Sequence, residues 1–203
     1  RRQGTAMSRL ARLAPTMLGA DQRAVYDAIA GGPRASGKQL FELTDRDGAL
    51  NGPFGVMVHA PAVGLQLQEL GAAIRYRTSM TDRGREIAIL LVAVATGSAF
   101  EWYAHERVGR AVGITDAELD AMREGRFAPE DPAELAISRL SVALLAGERL
   151  DDSTYAEIVG ALGETQVIEV TTLVGYYRTL AQLMDVFDVG VPGQERAERV
   201  GSR

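Results

Sequence analysis

The chain has 203 residues, 46% of them hydrophobic and 24% charged, with a formal net charge of -5. That balance belongs to a folded globular protein, and the length suits one domain with a substantial core. The acidic surplus speaks against a polyphosphate partner, so no nucleic acid is expected, and the absence of cysteine excludes disulfides, thiolate metal sites, thiol nucleophiles and redox pairs.

Arg1, Arg2, Arg9 and Arg12 make the one basic stretch, and residues 1–6, ahead of Met7, have the look of a cloning remnant outside the fold. A single helical domain is expected over 7–190 and a flexible tail over 191–203. Breakers at Pro15, Gly31, Gly32, Pro33, Gly48, Gly52, Pro53, Pro61, Pro129 and Pro132 separate segments whose length and Ala, Leu, Glu and Arg content predict helices. No β-alternation is present. Over Thr16–Ile29 the residues Met17, Leu18, Val25, Ala28 and Ile29 mark an amphipathic helix. Asp45–Pro61 begins irregularly, because Gly48, Asn51, Gly52, Pro53 and Gly55 do not suit one helix interior, and a loop leads into a short helical stretch at Phe54–His59. Val63, Leu67, Leu70 and Ile74 recur at helical spacing within Val63–Tyr76 and predict a face on the core.

Thr81 and Asp82 read as the start of a helix over Arg83–Ala95 that is apolar all round from Ile87 and therefore enclosed by protein. Ile87–Ala95 is the longest apolar run and reaches about half the length that crosses a bilayer, so no membrane association is expected and a cytoplasmic location follows. Gly97 ends or loosens this helix. A second one, Ser98–Val112, closes at Gly113, and Thr115-Asp-Ala-Glu118 has the spacing of a capping box for a third. Shifted by 48 positions, Asp82–Ile89 falls on Glu130–Ile137 with the same helical rhythm. Under that shift Glu101 meets Arg149 and His105 meets Ser153, so either a duplicated hairpin without a duplicated site or chance similarity fits. A long C-terminal helix near Thr165–Phe187 carries Tyr176 and Tyr177, one suited to the core and the other to a pocket or a subunit contact.

Ser98, Glu101 and His105 stand at i, i+3 and i+7 and share one helix face, with Trp102 and Glu106 one step around it. Glu86 sits one residue ahead of the apolar helix, where an antiparallel packing brings it toward the same face. An imidazole both gives and takes protons near neutrality, a neighbouring carboxylate orients it, and a second carboxylate in an apolar place serves as an acid. Spacing alone also fits an exposed Glu101/His105 pair that merely supports its helix, but the surrounding Phe100, Trp102 and Tyr103 make an embedded ionisable pair costly unless used. No metal is expected: His105-Glu106 begins like a zinc motif, but Gly109 stands where the second His is needed, and His59 is the only other histidine. His59 reads as a structural hydrogen-bonding residue or a catalytic one.

Four stretches now stand together: Asn51-Gly-Pro-Phe-Gly-Val-Met-Val-His59-Ala-Pro61, Arg85-Glu86-Ile-Ala-Ile-Leu, Glu101-Trp-Tyr-Ala-His105-Glu, and Gly175-Tyr-Tyr-Arg178. They resemble the carboxymuconolactone decarboxylase-like and alkylhydroperoxidase-D-like superfamily, chiefly over Asn51–Met122. The resemblance implies an all-α, orthogonal multi-helical bundle, a duplicated helical hairpin being one form of it, and assembly as a homo-oligomer (dimer, trimer or hexamer). In the peroxidase branch a Glu, a Cys-x-x-Cys and a His carry the chemistry. Here Glu86 and His105 hold the acid and His positions, while Ser98 and Glu101 stand in place of the two cysteines, so thiol peroxidase activity is lost. What remains resembles the decarboxylase branch: a cofactor-independent decarboxylase, lyase or isomerase for a small carboxylated or lactone-like substrate, with no metal or coenzyme. His105 then shuttles the proton, Glu101 orients it, and Glu86 is a second acid or an anchor. Asn51, His59, Ser98, Trp102, Tyr176 and Tyr177 are the expected substrate-binding residues. A non-catalytic ligand-binding or scaffold oligomer that lost the thiols is the other reading.

Overall fold

The computed structural model describes residues 8–36 and 39–193. The expected cloning remnant at 1–6 and the greater part of the expected tail, 194–203, lie outside the described residues, whereas Val191 is buried. Among the described residues the chain forms eight α-helices and no strand: α1 (Ala20–Ala30), α2 (Gly52–His59), α3 (Pro61–Tyr76), α4 (Asp82–Thr96), α5 (Ala99–Ala111), α6 (Asp116–Arg123), α7 (Pro132–Ala146) and α8 (Asp152–Val186). One isolated bridge joins Thr44 to Leu50. The expected all-α, multi-helical bundle is what the chain adopts.

Helix α4 is the axis of the molecule. Ile87, Ala88, Ile89, Leu90, Val92 and Ala93 are all 0% exposed, because α5, α7 and α8 pack around it. Its ends are set by local chemistry: the Thr81 side chain accepts from the Gly84 N–H, and Gly97 takes the left-handed conformation that satisfies the last carbonyls. Helices α1, α2 and α3 form a second group, joined to the first chiefly through α2 and α8. The capping box at Thr115 and Glu118 is formed as expected and starts α6.

Three elements differ from the sequence reading. The first helix begins at Ala20, not Thr16, because Pro15–Met17 is a separate 3-10 turn and Gly19 is the cap, its N–H held by Gln22. Met17 is therefore exposed while Val25 and Ile29 are enclosed. On α3 the core face is Gly64, Gln68, Gly71 and Ile74, whereas Val63 and Leu70 stand 60% and 40% exposed. The small residues mark the face because neighbours come too close for anything larger: a Cβ on Gly64 would lie 2.1 Å from the Met57 carbonyl oxygen. Helix α8 begins at Asp152, well ahead of Thr165, capped by the Asp151 side chain, and it breaks at Gly163 (φ 74°, ψ 158°).

Helices α4 and α7 are each 15 residues long, each has a side-chain N-cap (Thr81, Asp131), and each ends on a left-handed glycine (Gly97, Gly147). Both are followed by a helix packed on them. The two units thus correspond with α4 starting at 82 and α7 at 132, two positions beyond the shift of 48 at which the letters line up.

Candidate active site

A cavity of about 220 Å³ opens between the two groups of helices. Pro53 and Phe54 come from α2, Arg75 and Tyr76 from the end of α3, Phe100, Glu101, Ala104, His105 and Val108 from α5, and Tyr176, Tyr177 and Leu180 from α8. Arg34 and neighbouring residues of the segment after α1 complete the wall. Periodicity explains the set: Glu101, Ala104, His105 and Val108 are spaced 3, 1 and 3 along α5 and so share one stripe, with Ser98 capping the helix just before it.

Glu86 lies on α4 at 0% exposure, and its Oε2 is 2.6 Å from Nδ1 of His105. Its Oε1 has no hydrogen bond among the described residues, but Arg75 and Arg85 stand 3.6 and 3.8 Å away. Glu86 is thus buried with cations on one side and the imidazole on the other. The carboxylate that orients His105 is Glu86, where the sequence reading had given Glu101 that task. With Nδ1 turned to Glu86, Nε2 is the ring nitrogen without a hydrogen-bond partner among the described residues. The Tyr177 ring meets the imidazole edge-on with centroids 5.2 Å apart, and Tyr176 meets Tyr177 in the same way. These contacts fix the plane of the imidazole.

Glu101 is 2% exposed, and among the described residues neither carboxyl oxygen has a hydrogen-bond partner. Burial with nothing to compensate it pushes its carboxyl well above the usual range and so favours the neutral acid. The two glutamates therefore diverge in role through their surroundings: one has cations beside it and the other does not. Burial also raises the Tyr176 phenol to about 12, against the pull of Arg34, and raises Tyr177 further, with Glu86 adding to the effect. Both tyrosines are neutral hydroxyl donors.

The remaining expected residues lie elsewhere. Ser98 spends its hydroxyl on the Glu101 N–H as the cap of α5, and the wall of the cavity does not include it. Trp102 points to the opposite side, where Nε1 donates to Glu106 at 3.1 Å and the Arg123 guanidinium covers the ring at 4.3 Å. Asn51 caps no helix through its side chain; it accepts from Arg12 at 2.8 Å and donates to the Glu42 carbonyl at 2.9 Å. His59 places Nε2 2.9 Å from the Ala11 carbonyl oxygen and holds the N-terminal segment down. Tyr176 and Tyr177 both line the cavity and both are buried, so neither is given to the core alone. Arg34, Arg75, Phe54 and Phe100 were not legible as site residues; Arg34 lies in a Gly-Pro turn far along the chain from the Glu-to-His segment, and no local pattern marks it. Among the described residues no group of three or more His, Asp or Glu side chains could hold a metal ion, and no helix is long and apolar enough to cross a membrane.

Residues 61–143 match the carboxymuconolactone decarboxylase family; the span contains Glu86, Glu101 and His105. No curated protein matches the chain. Among solved structures, the alkylhydroperoxidase AhpD core of an uncharacterised peroxidase-related protein from Ralstonia eutropha JMP134 is similar with a TM-score of 0.72 at 11% identity, covering 94% of this chain and 95% of its own. The debrominase Bmp8 is similar at a TM-score of 0.67 and 15% identity, with 96% of both chains covered, in its free form and as an alanine variant with 2,3,4-tribromopyrrole. At such identities the likeness concerns the fold. Over residues 61–143 this cysteine-free chain is thus similar to the carboxymuconolactone decarboxylase family, and its fold is similar to that of the alkylhydroperoxidase AhpD core.

Proposed function

We propose that the protein is a cofactor-independent acid/base enzyme, a decarboxylase, lyase or isomerase, acting on a small carboxylated or lactone-like substrate. The observation that carries this reading is the unpartnered Glu101 carboxyl, buried in a cavity wall one helical turn from an imidazole that a second carboxylate orients. An uncompensated acid in such a place costs stability, and proton transfer is the task that recovers the cost.

His105 Nε2 takes a proton from substrate carbon, or guides the collapse of a carboxylate, while Glu86 stabilises the imidazolium that forms. In proton abstraction the C–H electron pair moves into the adjoining carbonyl; in decarboxylation the C–C pair does so as CO2 leaves. Either way an enolate results. The neutral Glu101 donates its proton to that enolate and is left as a carboxylate in a place that disfavours the charge, so it regains a proton from the imidazolium or from solvent. The neutral tyrosine hydroxyls are donors for the developing oxyanion.

The test is exchange of substrate C–H for deuterium in heavy water, followed by proton NMR, with CO2 release measured in parallel, across small unsaturated acids, 2-oxo acids and lactones. His105→Ala and Glu101→Gln are each expected to lower turnover by about 100-fold or more while the helical CD signal stays intact. Full activity in either variant removes the mechanism. Binding without exchange by any compound would make the protein a ligand-binding oligomer that has shed the chemistry.

A further inference from the structure

The charges around the cavity do not cancel. Glu86 faces Arg75 and Arg85, and Arg85 is shared with Asp82. Glu101 is neutral. Arg34 remains: its guanidinium lies 5.3 Å over the Phe54 ring and donates through Nη1 to the uncharged Gln68 Oε1, and no carboxylate pairs with it among the described residues. It is half-buried at the cavity wall, on the far side from the segment that identifies the site.

Gly71 of α3 locates its second donor. A Cβ on Gly71 would lie 2.1 Å from the Tyr176 hydroxyl and 2.7 Å from Arg34 Nη2. Both atoms therefore crowd over the same bare Cα, close enough together to grip the two oxygens of one carboxylate. Among the described residues the Tyr176 hydroxyl has no hydrogen-bond partner, so its donor is available. Its ring stacks edge-on against Tyr177, which stacks on His105, so the grip and the reacting pair stand at two ends of one aromatic row.

We infer that Arg34 and Tyr176 form an anion grip that holds a carboxylate of the substrate as a handle, presenting the rest of a small flat molecule to Glu101 and His105. This rests on the acid/base reading above for what happens at the other end. A cavity of about 220 Å³ is smaller than the roughly 300–1,000 Å³ of drug-sized sites and suits a molecule built on a single ring, and Phe54, Phe100 and the tyrosines offer flat faces to it. The gripped carboxylate is a handle and not a leaving group, because a guanidinium stabilises the carboxylate it holds and so opposes its departure as CO2. Substrates are then planar, unsaturated acids whose reacting carbon lies across the ring from the carboxylate.

The probe pair is benzoate and benzamide, alike in shape and different in charge, titrated calorimetrically at pH 7. The wild-type protein is expected to bind benzoate about tenfold more tightly than benzamide, the margin of one charge-assisted hydrogen-bonded pair. Arg34→Met abolishes that preference, and Tyr176→Phe reduces it several-fold. Equal affinity for the two probes, no binding of benzoate, or a full preference in either variant overturns the grip. The comparison on the wild-type protein stands even if a variant fails to fold. The titration needs no turnover, so a preserved preference with no exchange chemistry sinks the acid/base reading alone, and exchange chemistry without the preference sinks the grip alone.

Discussion

Glu101 is the residue at which sequence and environment pull hardest against each other. Its folded carboxyl has a raised pKa through burial, so between the ordinary glutamate range and that raised value the folded protein binds a proton the unfolded chain has released. Stability from this group is complete below about pH 4.5 and falls as pH rises, by about 1.4 kcal/mol per pH unit within that window. Glu101→Gln removes the slope, so thermal melts from pH 4.5 to 8 should show the variant gaining on the wild type as pH rises; parallel curves would mean that Glu101 is solvated. Glu86, unlike Glu101, has partners that depend on it. Replacing it by Gln leaves Arg75 without its carboxylate and weakens the hold on His105, and a loss of about 3 kcal/mol in urea unfolding is expected. The sequence made Glu86, Glu101 and His105 visible as a group but not which acid served the imidazole. That assignment depends on α4 lying against α5, which places Glu86 on Nδ1 across 19 residues of chain, whereas i,i+4 spacing had favoured Glu101.

Helix faces were legible where large apolar residues carried the packing and illegible where glycine did. The all-round apolar pattern of α4, its Thr81 cap and its Gly97 stop were all readable, because each is a local property. On α3, Val63 and Leu70 had the right period but the wrong side, since α2 and α8 approach so closely that only Gly64 and Gly71 fit beneath them. Two glycines therefore respond oppositely to the same substitution. Gly64→Ala sets a methyl 2.1 Å from the Met57 carbonyl oxygen, a backbone atom that cannot turn aside, and should cost about 2–3 kcal/mol by forcing α2 and α3 apart. Gly175→Ala, in the exposed part of α8 with nothing within 4 Å, should gain up to about 1 kcal/mol from helix propensity alone. Chemical denaturation of the two variants checks both signs. If Gly64→Ala is neutral, the close approach of α2 and α3 is not a tight one.

At the scale of the whole molecule, α4 is packed on by α5, α7 and α8 at once, so no group of helices in the C-terminal half keeps its core without it. Leu90, fully enclosed on α4, touches that shared core, and Leu90→Ala should cost about 2–5 kcal/mol through the cavity it leaves. The first three helices are joined to this core by α2 and α3 against α8, and the cavity walls come from both groups. Unfolding one group would open the site and strip the other of apolar cover, which predicts a single cooperative transition. The sole tryptophan, Trp102, is 4% exposed on α5 under the Arg123 guanidinium and reports the C-terminal group alone, while far-UV circular dichroism reports all the helices. The two melting curves should coincide, and Leu90→Ala should move both together. A fluorescence transition that separates from the circular dichroism one would mean that α1–α3 fold independently, and the site would then lie between two domains.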